Sequence, residues 1–483
     1  MTTRTTWRSV AEHRALAVLL LAALPVEIAA AANLVLRVGS MDSAGGGALG
    51  IGGAFAAMSL AFAVAVIPAG VLVDRTPARR TFAVALVIRA LPMLLGGVLA
   101  LSGGLTATAV VALAAGDGLA MALLRPSWQH FQACLVPADA ARDAAVLDDW
   151  IARAGTLGGA LAGGVAVAVG HTGPGLIACA AGFLPLLAAV ALGLGTVIRE
   201  HISTACPAPS LRDAWSTLRG ARRLAHATRT DIVLALALPV GVLAPAITVA
   251  LSSVQYLWLI SLAAGAGALA GASWVTLAWH RICPARLLRR AAGVLAVVLV
   301  AEAVALASGV VASTPAWMAA TCAVVALAEA ATAAMFTVTG SIVQADAPQG
   351  VRGQITGLAQ APKHIATFLS ASIVGMTMAW AGPAVSVGIV AIAIAGAAVW
   401  LRGFDGVADA VGASATGDIS DDSDRETEVC SDQRGRYRIR TCVGFRRRIY
   451  SPLPLAARAT CLGQTELPGL ARVAGYNEDV LRT

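Results

Sequence analysis

Long apolar segments recur along most of this chain and constrain its fold more than any other feature. A helix that crosses a bilayer needs about 20 mostly apolar residues, and the sequence contains twelve such segments, numbered here as spans 1–12. They lie at approximately 15–36, 48–73, 82–101, 104–125, 149–170, 174–197, 231–252, 255–279, 291–310, 315–339, 355–378 and 383–401. Because 58% of the residues are hydrophobic and 13% are charged, an ordinary soluble globule is excluded. The segments are also much longer than the roughly 10-residue strands of a membrane barrel. The sequence predicts an all-α polytopic membrane protein with twelve transmembrane helices.

The polar residues divide these spans into two groups of six. The longest polar interval between spans runs from Arg199 to Arg229. The predicted division is an N-terminal six-helix half (1–198), a central loop (199–230), a C-terminal six-helix half (231–402) and a charged, disordered tail (403–483). Basic residues occur in alternate loops, and Arg37 is the lone exception. The positive-inside rule therefore places both termini and the central loop in the cytoplasm of a multi-pass cell-membrane protein.

The two halves also resemble each other in sequence. Asp117–Ala133 aligns without a gap on Glu329–Ala345, and in both segments Gln-Ala follows the acid fifteen residues later. The loop Arg75–Arg79 has a counterpart at Arg281–Arg286, where Pro-Ala-Arg recurs. These matches indicate two six-helix pseudo-repeats.

A cluster of charge separates span 2 from span 3. The cluster includes Gly70, Asp74, Arg75, Arg79 and Arg80. The cluster resembles the loop between the second and third spans of major facilitator superfamily transporters, which reads roughly G-x-x-x-D-R-x-G-R-R; Pro77 or Ala78 replaces its inner glycine. The resemblance implies the major facilitator fold and a conformational switch, in which Asp74 bonds near the cytoplasmic start of span 11, at Gly353–Ile355. A topology anchor alone is the alternative.

Two further segments refine this resemblance. The glycines Gly155, Gly159, Gly163 and Gly164 of span 5 resemble the G-x-x-x-G-P-x-x-G-G motif of antiporter members, with Ala160 in place of the proline. Small residues at this spacing also allow close helix crossing whatever the function. The segment Arg125–Arg142 resembles the corresponding loop of the macrolide-efflux and enterobactin-exporter branch.

Charged residues inside spans are candidates for function, because each costs roughly 2.5–3.5 kcal/mol on insertion scales. They are Glu27, Arg89, Asp117, Glu302, Glu329, Lys363 and, as a titratable neighbour, His364. In the resembled family, spans 1, 4, 7 and 10 line the central cavity, which directs Glu27, Asp117 and Glu329 to it and leaves Glu302 at the periphery. A desolvated carboxyl group can be protonated near neutral pH. Glu27, Asp117 and Glu329 could each carry a proton, recognise a cationic substrate, or form a structural hydrogen bond.

Alternatives remain open for the other candidates. Arg89 and Asp117 lie at similar depth in adjacent spans and could form an ion pair, or Arg89 could snorkel to the interface. Lys363 and His364 follow Pro362, which bends span 11 and would place polar groups beside a kink. A shallower helix end would instead leave Lys363 in the interface.

The function predicted from these features is secondary active transport. Phosphate-binding loops and protease or esterase motifs are absent from the sequence, so the chain is not expected to be an enzyme, and neither a cofactor nor a metal is expected. The arginines of the predicted cytoplasmic loops account for the net positive charge, so a nucleic-acid partner is not predicted. The prediction is a monomer in the lipid bilayer that exports a small amphipathic compound by alternating access, through proton antiport. The alternatives are a proton-coupled importer or facilitator of a small metabolite, and a non-transporting receptor or scaffold.

Overall fold

The computed structural model describes residues 14–135, 141–192, 211–237, 243, 245–248, 256–278, 284–308, 315–346 and 352–401. The predicted tail and much of the predicted central loop lie outside these residues. The helices of the described part are α1 (Arg14–Ser43), α2 (Gly47–Arg75), α3 (Ala78–Leu101), α4 (Ala107–Leu135), α5 (Ala141–Ala168), α6 (Thr172–Ala181), α7 (Leu184–Ala191), α8 (Leu211–Gly220), α9 (Arg222–Ala237), α10 (Leu257–Ala278), α11 (Pro284–Ala307), α12 (Pro315–Asp346), α13 (Arg352–Ala381) and α14 (Pro383–Trp400).

Membrane-spanning length recurs along these helices. In the described residues, eleven segments are long and apolar enough to cross a bilayer. They correspond to predicted spans 1–6 and 8–12. Span 7, predicted at 231–252, is described only at the end of α9 and at 243 and 245–248. Together with the comparisons reported below, these helices confirm the prediction of an all-α polytopic membrane protein.

The sixth span is formed by two consecutive helices, α6 and α7. The interruption lies at Gly182 and Phe183, and Pro185 occupies the second position of α7. Proline has no backbone N–H to donate, so the regular hydrogen-bond ladder breaks just before it. The combined segment Thr172–Ala191 still has the length of one membrane crossing.

Several helices extend further than the apolar pattern predicts, and two of these extensions contain arginines near the candidate site. Helix α1 continues to Ser43 instead of ending near 36, and α4 continues to Leu135 instead of ending near 125. Polar residues end an apolar window, but they do not end a helix whose backbone hydrogen bonds continue. As a consequence, Arg37 and Arg125 lie inside helices. The assignment of Arg37 to a loop was wrong.

Glycine permits close crossings at several points in the bundle. Helices α2 and α13 meet at two places, where Gly52 faces Gly375 and Gly70 faces the carbonyl of Gly353. On α10, Gly267 faces the backbone of Ala326 of α12. Small residues at such positions let helix backbones approach in a lipid environment. The packing is therefore dense along the seams between helices.

The pairwise contacts link the helices into two sets. In the first set α1 packs on α5 and α6, α2 packs on α4, and α3 packs on α4 and α6. In the second set α9 packs on α12 and α13, α10 packs on α12, and α11 packs on α12 and α14. The sets meet mainly where α2 packs on α13 and α5 packs on α10. These two seams position the residues of the candidate site.

Candidate transport site

The charged cluster after α2 reaches the first turn of α13. Asp74 accepts a hydrogen bond from the backbone N–H of Gln354. A Cβ atom at Gly353 would come within 2.5 Å of Asp74 Oδ1, and one at Gly70 would come within 3.0 Å of the Gly353 carbonyl oxygen. A helix N-terminus carries partial positive charge and favours a carboxylate. Asp74 therefore bridges α2 and α13 at the predicted cytoplasmic end.

The arginines of this cluster have different surroundings. Arg79 donates two hydrogen bonds to the last carbonyls of α7, with Nε 3.0 Å from Val190 O and Nη2 2.8 Å from Ala191 O. The last carbonyls of a helix lack the donors that the next turn would supply, so Arg79 caps α7. Arg75 and Arg80 are exposed, as expected of residues beyond a membrane boundary.

Asp117 lies at the centre of a buried charge cluster. Its Oδ2 atom is 2.9 Å from Arg37 Nη2 and its Oδ1 atom is 3.4 Å from Arg89 Nε. The Asn33 side-chain amide donates to Oδ2 at 3.5 Å. The side chains of Arg37 and Asp117 are only 9% and 5% exposed, so little solvent separates the charges. The cluster connects α1, α3 and α4, and Arg89 points inward to it.

Glu27 and Glu329 both lie next to the same turn of α5. A Cβ atom at Gly155 would overlap the Cβ of Glu27, which places α1 directly against that turn. Arg153, two residues earlier on α5, lies close enough to Glu329 of α12 for their charges to interact. Both carboxylate side chains are partly exposed. The turn at 153–155 thus lies beside an acid from each half of the chain.

The other glycines of span 5 face two partners. Gly159 packs on Ile28 and the following turn of α1, and Gly163 packs on Ala32 of the same helix. Gly164 instead packs on Trp258 of α10. The predicted glycine motif therefore lies where α5 crosses both α1 and α10. Its geometry is that of a close helix crossing.

Lys363 lies inside α13 and contacts the second set of helices. Its Nζ atom is 3.7 Å from Asp231 Oδ2 and 3.8 Å from the centre of the Phe336 ring. The Thr339 hydroxyl donates to the other carboxylate oxygen of Asp231. Because α13 begins at Arg352, Lys363 lies about 16 Å along the helix axis. Lys363 therefore lies about three turns inside α13.

The neighbouring His364 contacts a different helix. Its ring lies against Phe62 of α2 in a tilted arrangement, with 3.8 Å between ring centres and 30° between the planes. Lys363 and His364, about 100° apart on α13, therefore make one charged and one aromatic contact with different neighbours. The Phe62 ring is buried and Phe336 is half-buried, so apolar rings lie next to both polar groups.

Sequence reasoning missed several charged residues near this site. They are Arg37, Arg125, Asp148, Arg153 and Asp231. The charge of Arg125 acts on Asp148 and Lys363, although Arg125 was placed at the end of its span. Arg153 fell inside predicted span 5 and could have been recognised by the same cost argument that singled out Glu27, whereas Asp231 stood at the first position of predicted span 7. Arg37 and Arg125 required knowledge of where α1 and α4 end.

Asp148 precedes the membrane-crossing part of α5. Its Oδ1 atom accepts a 3.0 Å hydrogen bond from Trp128 Nε1 of α4. Burial raises the pKa of the Asp148 carboxyl to about 6, and the Trp128 hydrogen bond opposes that rise. The group therefore titrates much closer to neutrality than an ordinary aspartate.

Comparisons with known proteins bear on the fold. No protein-family model matches the sequence, and neither does any curated protein. Solved structures do match. A D-xylose-proton symporter is 15% identical with a TM-score of 0.61, covering 80% of this chain and 96% of that one. A point mutant of the nucleoside transporter NupG is 14% identical with a TM-score of 0.59, covering 80% and 99%. A bacterial homologue of the iron transporter ferroportin, in an inward-facing state, is 15% identical with a TM-score of 0.59, covering 80% and 98%.

The chain has the major facilitator fold. Identities of 14–15% extend to the fold alone. The assignment to the macrolide-efflux and enterobactin-exporter branch stays a prediction. The seams α2–α13 and α5–α10 are the places where the two sets of packed helices meet, and Asp74, Glu27 and Glu329 lie on or next to them.

Proposed function

We propose that this protein is a proton-coupled secondary transporter that exports a small amphipathic compound by alternating access. The observation that carries the proposal is the convergence of Glu27 and Glu329 on one turn of α5. Glu27 packs against Gly155, and Glu329 lies within the electrostatic range of Arg153. A carboxylate from each half thus lies beside an element of the seam that must move during transport.

Protonation at this turn can bias the two halves. When Glu329 is ionised, its attraction to Arg153 favours the arrangement in which α12 and α5 are close. A proton on Glu329 removes that attraction and favours separation. A ligand shifts a conformational equilibrium only by its differential affinity for the two states, and a proton at Glu329 meets that condition.

Asp117 has a different role in this proposal. Two guanidinium groups contact its carboxylate within 3.4 Å, and each favours the ionised form. We therefore assign the proton-carrying role to Glu27 and Glu329, and a structural role to Asp117. Asp117 then holds α1, α3 and α4 together as a unit during rocking.

The substrate is expected to bind between Phe62 and Phe336. Their rings flank His364 and Lys363, so the region combines apolar surface with a few polar groups. Ligand sites commonly have this composition. An amphipathic compound would place its apolar part on the rings and its polar part towards Lys363, Arg125 and the acids.

A transport assay with matched carboxylate variants tests the proposal. Proteoliposomes carry an imposed pH gradient, and a panel of fluorescent amphipathic compounds reports flux in either direction, with and without a protonophore. We expect pH-driven flux in the export direction. Glu27→Gln and Glu329→Gln should abolish its dependence on the pH gradient.

Glu302→Gln is the matched control. Glu302 is a buried carboxyl group on α11, and no proton-carrying role is proposed for it, so its variant should keep the pH dependence. Full pH-driven flux in both Glu27→Gln and Glu329→Gln would exclude the proton-carrier assignment. Gradient-driven flux in the import direction would instead support the proton-coupled importer.

A further inference from the structure

Helix α1 presents three polar side chains to a cavity between helices. Asn33, Arg37 and Ser40 are spaced by four and three residues and therefore share one face of the helix. All three are less than one-tenth exposed. The cavity is also lined by residues of α3, α4 and α6, among them Gly96, Leu113 and Leu176. We call it the Arg37 cavity.

The charges around the Arg37 cavity do not balance. Arg37 and Arg89 both contact Asp117, so two guanidinium groups share one carboxylate. Arg37 also lines a second cavity, together with Met41, Phe55 and Met58 among others, and the remaining residues that line either cavity are uncharged. In the described part of the chain, this buried cluster therefore carries one excess positive charge. An uncompensated charge inside a membrane protein is costly, and a bound counter-ion would remove that cost.

The donors in the cavity suit such an ion. Arg37 carries five N–H donors; its Nη2 faces Asp117, and its Nη1 donates a weak hydrogen bond to the Met58 sulfur, at 3.8 Å. The Ser40 hydroxyl is buried and has no hydrogen-bond partner in the described residues, although buried polar atoms normally have one. It lines the same cavity as Arg37 and Asn33.

The size of the cavity restricts the occupant. Its free volume is about 10 Å³, roughly the minimum for one water molecule. The lining also includes Leu105, in the connection between α3 and α4, so the cavity extends towards the predicted extracellular end. The cavity therefore has room for one small particle, and a carboxylate-bearing metabolite would not fit.

We propose that the Arg37 cavity binds a small monovalent inorganic anion, with chloride as the natural occupant, as a counter-ion to the Arg37–Asp117–Arg89 cluster. The ion accepts hydrogen bonds from Arg37 and Ser40 and neutralises the excess charge. It thereby stabilises the packing of α1 against α3, α4 and α6. Binding is independent of the proton-carrying acids and of the transported substrate.

Thermal unfolding of the purified full-length protein in detergent tests this site. The protein is first exchanged into sodium gluconate, and sodium chloride is then titrated at constant ionic strength while tryptophan fluorescence reports unfolding. An anion that binds only the folded state raises the unfolding temperature by mass action. We expect the unfolding temperature to rise with chloride concentration and to approach a plateau, as mass action predicts for a single saturable site.

Variants of α1 locate the effect. Ser40→Ala should raise the half-saturating chloride concentration about tenfold, since one hydrogen bond to a charged group contributes on that order. Ser43→Ala is the matched control, because the Ser43 hydroxyl bonds to Gly39 O of its own helix, and it should leave the chloride response unchanged. Asp117→Asn removes the resident carboxylate and should lower the half-saturating concentration.

Two results would overturn the proposal. An unfolding temperature that is equal in chloride and gluconate at every concentration would mean that water, and not an anion, occupies the cavity. A chloride response of the same size and midpoint in Ser40→Ala, Arg37→Gln and the unaltered protein would mean that chloride acts elsewhere on the surface.

Discussion

The contact of Asp74 with the first turn of α13 leads to a quantitative prediction. Asp74 accepts a hydrogen bond from the Gln354 N–H at a helix N-terminus. A hydrogen bond to a charged group contributes about 1.5–3 kcal/mol, and a neutral one about 1 kcal/mol. The helix dipole adds about 0.3–1 kcal/mol for a carboxylate that an amide does not gain. Asp74→Asn keeps an acceptor oxygen but loses the charge, which removes about 0.8–3 kcal/mol from these two contributions together. The cost of burying the carboxylate in the closed state offsets part of this loss, so we expect the closed state to lose about 1–1.5 kcal/mol.

This loss should be visible as increased opening at the predicted cytoplasmic end. A change of 1.4 kcal/mol shifts an equilibrium about tenfold. Val66 is 2% exposed and packs under Gly357 of α13, so a cysteine at this position reports separation of α2 from α13. With the native cysteines replaced, labelling by an impermeant maleimide in inside-out vesicles should accelerate up to about tenfold in Asp74→Asn.

Two companion variants sharpen the interpretation. Gly353→Ala should accelerate labelling as well, since the new Cβ would meet Asp74 Oδ1 at 2.5 Å. Gly293→Ala on α11 is the matched control, because a Cβ there meets no atom within 4 Å. Unchanged labelling in both Asp74→Asn and Gly353→Ala would refute the reasoning and leave the charged cluster as a topology anchor.

Three further predictions concern stability, each measured by thermal unfolding. Lys363→Met and Asp231→Asn should each destabilise the protein, because each leaves a buried charge without its partner. The double variant should recover part of this loss, with a coupling free energy of about 0.5–3 kcal/mol. Additive losses would mean that the two residues do not interact. Gly267→Ala should lower the unfolding temperature because its Cβ would overlap the Ala326 backbone, whereas the open position Gly388 should tolerate alanine. Asp148→Asn should stabilise the protein at pH 7.5, by up to about 3 kcal/mol for a pKa raised from 3.8 to about 6. The folded state favours the protonated carboxyl, so the free-energy cost of the ionised carboxyl to folding grows as pH rises from about 4 to about 6, and asparagine removes that cost. The stabilisation should therefore be smaller at pH 4.5, and a stabilisation that does not change with pH would contradict the raised pKa.

Much of the fold could be predicted because membrane spans have a local signature. About 20 apolar residues in a row suffice to predict a crossing, and the described helices follow eleven of the twelve predicted spans. The ends of α1 and α4 were missed because the prediction used only this local apolar signature. Arg37 and Arg125 interrupt an apolar window, whereas backbone hydrogen bonding and inward-facing partners let the helix continue.

The candidate site could be predicted only in its components. Glu27, Asp117, Glu329 and Lys363 stand out in the sequence because charge is costly in lipid. The residues that pair with Asp117 and Lys363 were harder to recognise from the sequence. Arg37 resembled a loop residue, and Asp231 resembled the polar edge of a span, although each contacts a buried charge on another helix.

The sequence by itself determined the class of the protein, most of its membrane crossings and the residues whose charge requires an explanation. These properties depend on the transfer of single segments into lipid, so each can be evaluated segment by segment. Only the tertiary structure decided that Arg37 and Arg89 share Asp117, that Lys363 pairs with Asp231, and that Glu27 and Glu329 approach one turn of α5. Successive residues in a helix point about 100° apart, so a contact between distant helices depends on their rotation and register. Those quantities are set by packing across the whole bundle.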